Sequence, residues 1–318
     1  MKMKEVNMLK IVAPINNYEE IKCVIDYGAD EIYFGYLDKE WSEKYGAYTG
    51  NRRENYEANI TDRNYLKRVI HYLNERGIKY AVTMNDRYSN GQYNDLKKVL
   101  DILASENVEN IIVSDVGLIM AITEWGYDFK VQISTGGGTF NHLSASFYKS
   151  VGNVSRIILP RQLTINEINT IADDSLEYEV FGIYGKDPYI DAFCRFHHGI
   201  NKCISGIGPC GCMRVNEASL IMNSSSIGTP FKCLNTLYVD GCAACALSNM
   251  DSSIIGYVKV VGRSAKTQRK LEAIKMMKKA VEIASSNLPQ EEKILMNKRN
   301  FKSIFQKECE MNNCYFIE

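Results

Sequence analysis

Eight short apolar runs, each followed by a stretch of helical periodicity, constrain this 318-residue chain more than any other feature. They are KIVAPI (10–15), DEIYFGY (30–36), IKYAVTMN (78–85), VENIIVS (108–114), DFKVQIS (128–134), SRIILP (155–160), EYEVFGIY (177–184) and GYVKVVG (256–262). Runs this short and this apolar are the mark of strands buried on both faces, and strands that alternate with helices form a parallel sheet. A count of eight favours closure into a TIM-type (β/α)8 barrel over an open doubly wound sheet, and the chain length suits one such barrel. Helices are expected from Asn16 or Asn17 to Gly28, from Thr61-Asp62 to Arg76, over 93–106, from Asp115 to Trp125, over 141–150, from Thr164, and over 264–285.

The rhythm breaks twice. Residues 37–60, rich in Tyr, Asn and Gly, read as a long irregular loop after the second strand. A larger insertion, 185–255, separates strands seven and eight. Both are βα connections, so both are expected on the C-terminal face, where such barrels build their active sites. The domain reading is one barrel over 1–285 that includes this insertion, with a tail over 286–318 packing on it as a helix and an irregular end.

Seven of the ten cysteines, Cys194, Cys203, Cys210, Cys212, Cys233, Cys242 and Cys245, fall inside the insertion. The N-terminus carries no apolar signal segment and no run is long enough to span a membrane, so the expectation is a cytoplasmic protein. In a reducing compartment, clustered thiols point to a metal or iron–sulfur site rather than to disulfides. Cys194, Cys210, Cys212, Cys233, Cys242 and Cys245 are the candidate ligands of a 4Fe–4S cluster, with zinc as the alternative. Cys203 is a spare. Cys309 and Cys314 either complete the site, if the tail folds back, or are inert. Cys23 reads as a core residue on a helix face.

Lys+Arg and Asp+Glu both total 38, which gives no support for strong non-specific binding to nucleic acid or membrane. His197, next to His198 and close to Cys194, is a candidate metal ligand or proton carrier. Arg161 and Arg263 follow strands six and eight, where they could clamp a carboxylate or phosphate; structural ion pairing is the competing reading. Lys259 lies within the last strand and, pointing inward, would need a partner. Arg52 and Arg53 could touch an anionic substrate and the basic run 266–279 could contact RNA phosphates; the preferred readings are a solvated loop and the wet face of an outer helix. The glycines Gly136, Gly137 and Gly138 permit close backbone approach to a ligand but lack the dinucleotide or P-loop pattern. HExxH and GxSxG motifs are absent.

Five segments in order carry a resemblance. They are APINNYEEIKCVIDYGADEIYFGY (13–36), VSDVGLIMAI (113–122), STGGGTFN (134–141), SRIILPRQLTINEI (155–168) and YVKVVGR (257–263). Together they resemble the collagenase-like proteases, peptidase family U32. The resemblance implies a barrel carrying a cysteine-ligated 4Fe–4S cluster. It implies oxygen-independent hydroxylation of an RNA base or a small aromatic substrate, with a peptidase or a cluster-bearing partner subunit as the alternatives. A small anionic or RNA substrate, prephenate as a helper molecule and a homologous partner subunit go with it. The sequence departs from the family pattern at Gly136, Gln162 and Val261. The family's Cys-x6-Cys pair keeps only its second member, Cys194, and its Cys-x3-Cys-Arg element is compressed to Cys210-Gly-Cys-Met-Arg214.

Overall fold

A computed structural model describes residues 8–46, 50–52, 58–172, 175–185, 190–193, 241–311 and 314–316. The strands are β1 (Lys10–Pro14), β2 (Glu31–Tyr36), β3 (Asn59–Ile60), β4 (Lys79–Met84), β5 (Asn110–Val113), β6 (Lys130–Ile133), β7 (Val154–Ile158), β8 (Glu177–Ile183) and β9 (Ile255–Val260). All pairings among them are parallel. The order runs β1-β9-β8-β7-β6-β5-β4-β2, and β1 pairs β2 to close the ring. The two-residue β3 adds to the end of β2. The closed eight-stranded barrel read from the apolar runs is therefore the observed fold.

The helices are α1 (Ile21–Asp26), α2 (Lys39–Tyr45), α3 (Arg63–Glu75), α4 (Tyr93–Ser105), α5 (Val116–Glu124), α6 (His142–Ser150), α7 (Ile165–Ile171), α8 (Thr267–Ala284) and α9 (Gln290–Phe305). Most begin where the sequence places a cap. Asp62, Asp115 and Asn141 accept from the backbone N–H of Tyr65, Leu118 and Ser144, and Thr164 forms a capping box with Glu167. Two expectations need correction. Asn17 accepts from the Glu20 N–H at 3.0 Å, but the first helix proper begins only at Ile21. The stretch 37–60 is not wholly irregular: Asp38 caps α2 by accepting from the Trp41 N–H, and Trp41 anchors that helix in the core at 3% exposure. Among the described residues no helix is long and apolar enough to cross a membrane.

The lower half of the barrel interior is charged. Inward positions of β2, β7, β8 and β9 supply Glu31, Arg156, Glu177, Glu179, Tyr257 and Lys259. The Arg156 guanidinium donates to Glu31 at 2.8 and 2.9 Å, to Glu179 at 3.0 Å, and to Glu177 at 2.9 and 3.1 Å. It also lies 3.4 Å from the centre of the Tyr257 ring. Lys259 Nζ donates to Glu179 at 2.6 Å. Burial works against the Arg156 charge, but Glu179 and Glu31 outweigh it and its pKa is raised. At Lys259 burial wins over Glu179, and its pKa is lowered. These side chains satisfy one another's donors and acceptors, the condition under which buried charges are tolerated.

A second buried pair ties α8 to the barrel. Lys270 is fully buried and donates to Glu20 at 2.8 Å and Asn16 at 3.2 Å. The basic run is thus not simply a wet face, because one of its lysines points inward.

Candidate active site

The connections after β2, β4, β6, β7, β8 and β9 meet over the C-terminal mouth. Arg263, just past β9, is 4% exposed. Its Nη1 donates to Thr83 Oγ1 at 2.6 Å and Asn59 Oδ1 at 3.3 Å. Its Nη2 donates to the Asn51 carbonyl at 2.8 Å. The guanidinium therefore fastens the loop after β2 to the end of β4. The room it needs comes from Gly35: a Cβ there would stand 2.0 Å from Asn59 Oδ1 and 2.1 Å from Arg263 Nη1. Gly35→Ala is expected to lose about 1–3 kcal/mol through this overpacking. Urea denaturation measures the loss, and an unchanged midpoint would contradict the reading.

Arg161, after β7, donates to the Gly185 carbonyl and, at 2.5 Å, to Asp191. Its guanidinium packs over the Phe181 ring. Arg52 reaches the same carboxylate at 3.8 Å. Arg52 was expected in a solvated loop; instead it is 9% exposed, with a left-handed backbone at φ 59°. Loops after β2, β7 and β8 are thereby joined on one face, as the βα topology requires. Burial pushes the Asp191 carboxyl up, but Arg161, Arg52 and the Thr135 hydroxyl outweigh it and hold it below the ordinary range. A depressed carboxylate contributes stability that is present above the unfolded value, about 4, and lost as the pH falls through the lower folded value. The stability gap between wild type and Asp191→Asn is therefore expected to narrow on titration from about pH 7 to pH 3. A gap independent of pH would contradict this.

Beside this pair lies the tight turn Thr135–Gly137, closed by Gly138 at φ 70°. Arg87 donates to the Gly136 carbonyl at 2.5 Å. The absence of a Cβ at Gly136 is needed, since it would fall 2.4 Å from Ser114 Oγ. Asn85 Oδ1 and Thr139 Oγ1 are buried there without a hydrogen-bond partner among the described residues. The result is a polar floor beside two guanidinium groups that share one carboxylate.

Of the other candidates, Lys259 lies inside the barrel on Glu179. Cys194, Cys210, Cys212, Cys233 and His197 lie outside the described residues, as do Cys203, His198 and Arg53. Cys242 and Cys245 are described. Burial pushes the Cys242 thiol up to about 12 and the Cys245 thiol to about 11, and in both cases Cys309 and Cys314 add to the rise. The two tail cysteines thus lie within electrostatic reach of Cys242 and Cys245. Sequence reasoning missed Asp191 and Arg87 as members of the mouth. The signal for Asp191 was its position three residues before Cys194 at the head of the insertion.

A parallel barrel with charged and glycine-rich loops gathered at its C-terminal mouth belongs to the class of TIM-type barrels, whose chemistry is sited at that end. The particular family follows from the sequence: the chain belongs to peptidase family U32, whose model matches residues 16–211. It is 33% identical over 183 residues to an uncharacterized protease of Methanocaldococcus jannaschii, covering 55% of this chain and 40% of that protein. It is 26% identical over 205 residues to a collagenase of Porphyromonas gingivalis, covering 64% and 45%. It is 27% identical over 210 residues to tRNA hydroxylation protein P of Haemophilus influenzae, covering 63% and 41%. The chain thus spans less than half the length of these curated relatives.

Proposed function

We propose that this chain is the barrel of a cytoplasmic enzyme that hydroxylates an RNA base without molecular oxygen. The observation that carries the reading is the convergence of Arg52 and Arg161 on Asp191 beside the glycine turn at the mouth. Guanidinium groups preset by a shared carboxylate suit the binding of a phosphate or a carboxylate. That fits an RNA backbone or a small anionic helper molecule such as prephenate. Relatives named as tRNA hydroxylation proteins support the choice of substrate.

The donor chemistry fits an iron–sulfur cluster. Soft thiolates are the ligands such clusters take, and the one described part of the cysteine segment puts Cys242 and Cys245 close together in a largely buried setting. Cys194, Cys210, Cys212, Cys233, Cys242 and Cys245 would hold the cluster, which when bound supplies one-electron chemistry. In this reading Arg161 and Arg52 orient the anion, Asp191 fixes both arginines, and the glycine turn lets substrate approach the backbone. Arg263 keeps the loop after β2 seated. His197 is the proposed proton carrier, and a homologous chain is the proposed partner subunit.

The test is nucleoside mass spectrometry of tRNA and ribosomal RNA from cells with and without the gene. The expected result is loss of one nucleoside carrying an added oxygen atom, restored by the wild-type gene. Identical nucleoside profiles would overturn the reading. Two relatives named as a protease and a collagenase favour peptidase activity as the second reading. Cleavage of denatured collagen or a peptide library by homogeneous protein, lost on substitution of Cys194 or His197, would establish it.

A further inference from the structure

Four cysteines from two distant parts of the chain lie within electrostatic reach of one another where the tail closes over the end of β8. Ile183, the last residue of β8, pairs antiparallel with Cys242, and Cys242 pairs parallel with Cys314. The ladder is continuous: the Tyr184 N–H donates to the Gly241 carbonyl at 2.7 Å and the Tyr315 N–H to the Cys242 carbonyl at 2.9 Å. The Tyr315 hydroxyl then donates to the Tyr184 carbonyl at 2.5 Å. On the other side, Cys245 leads into the turn Ala246–Asn249. Asn297 of α9, 1% exposed, holds that turn by donating to the Ala244 carbonyl at 3.1 Å. Helix α9 ends with Gln306 in a left-handed conformation, and the chain continues to Cys309, which packs against the core.

We propose that Cys242, Cys245, Cys309 and Cys314 form a four-thiolate centre that binds one soft metal, zinc or an iron–sulfur cluster, and clamps the tail to the barrel. A Cys-x2-Cys pair and a Cys-x4-Cys pair contributed by two segments is the ligand pattern of such sites. None of the four is in a disulfide. Among the described residues no three His, Cys, Asp or Glu side chains are preset to hold an ion, so the proposed centre requires the four sulfurs to close on the metal as it binds. Ser248 Oγ, buried without a hydrogen-bond partner three residues beyond Cys245, has a proton to offer a thiolate. The inference goes beyond the RNA reading and does not rest on it. It reassigns Cys242 and Cys245 and so narrows the ligands of the cluster proposed above to Cys194, Cys210, Cys212 and Cys233.

The test is elemental analysis of zinc, iron and acid-labile sulfide in protein purified without oxygen, for wild type and for Cys309→Ser/Cys314→Ser. The double variant is expected to lose one whole centre, either about one zinc or about four irons with their sulfide. Which element falls identifies the metal. Unchanged metal content in the variant would overturn the proposal. A second measurement needs no variant. Alkylation of native wild-type protein, read by peptide mass spectrometry, should leave Cys309 and Cys314 unmodified until a chelator is added. Rapid labelling of both in metal-loaded protein, or a Cys242–Cys314 disulfide, would overturn it. Neither readout depends on whether RNA is the substrate.

Discussion

Arg156→Met is expected to cost about 3–5 kcal/mol of stability, the usual penalty for removing one partner from a buried ionic cluster. The residue is 2% exposed, and its guanidinium is the shared donor of Glu31, Glu177 and Glu179. Methionine fills much of the volume but removes the guanidinium the three carboxylates share, leaving Lys259 on Glu179 as the remaining cation inside the barrel. The loss is therefore electrostatic rather than a cavity effect, and a second change separates the two. Glu31→Gln added to Arg156→Met removes one uncompensated charge and should recover part of the loss. A simple cavity would give additive costs instead. Urea midpoints for the wild type, both single variants and the double variant decide this. A single-variant midpoint equal to wild type would show that the cluster does not support the barrel.

On the proposed function, Arg161→Ala is expected to lower the modification rate roughly 100-fold while leaving the fold in place, since misplacing a bound group at the mouth carries a penalty of that order. Without Arg161, Asp191 keeps Arg52, at 3.8 Å, and the Thr135 hydroxyl, and the contact to Gly185 is lost. The substrate anion loses one guanidinium and the correct pose of the other. Arg161→Lys separates charge from geometry. A lysine restores the charge but not the planar fork that serves Asp191 and Gly185 together, so recovery should be partial. The readout is the amount of oxygen-bearing nucleoside formed in cells carrying each variant. Wild-type levels in Arg161→Ala would remove the residue from the mechanism.

Much of the barrel was legible because its physics is local. Parallel strands covered on both faces are mostly apolar, as the wholly buried β2 is in all but Glu31, and helix starts are written in Asp62, Asp115, Asn141 and Thr164. Helix α2 was hidden because Tyr, Asn and Gly around it set the tone of the stretch, although Asp38 followed by Trp41 was a usable start signal. The ionic layer left a trace in the alternation of Glu177 and Glu179, a period of two in a strand with both faces buried. Its assembly around Arg156 depended on barrel register, which no single segment encodes. The mouth was legible as a location and not as a set of contacts. The pairing of Arg52 with Asp191 joins loops after β2 and β8, and only closure of the barrel brings them together. The return of Cys309 and Cys314 to Cys242 likewise depends on where α9 docks, which the tail sequence alone does not fix.

The central proposal is a cysteine-bound cluster at the mouth of this barrel. Its most direct test is the iron, acid-labile sulfide, zinc and visible absorption of protein purified without oxygen. The expected result is at least about four irons and four sulfides per chain with a broad brown absorption band. Protein that holds zinc alone, or no metal, would contradict it and bring the peptidase reading forward.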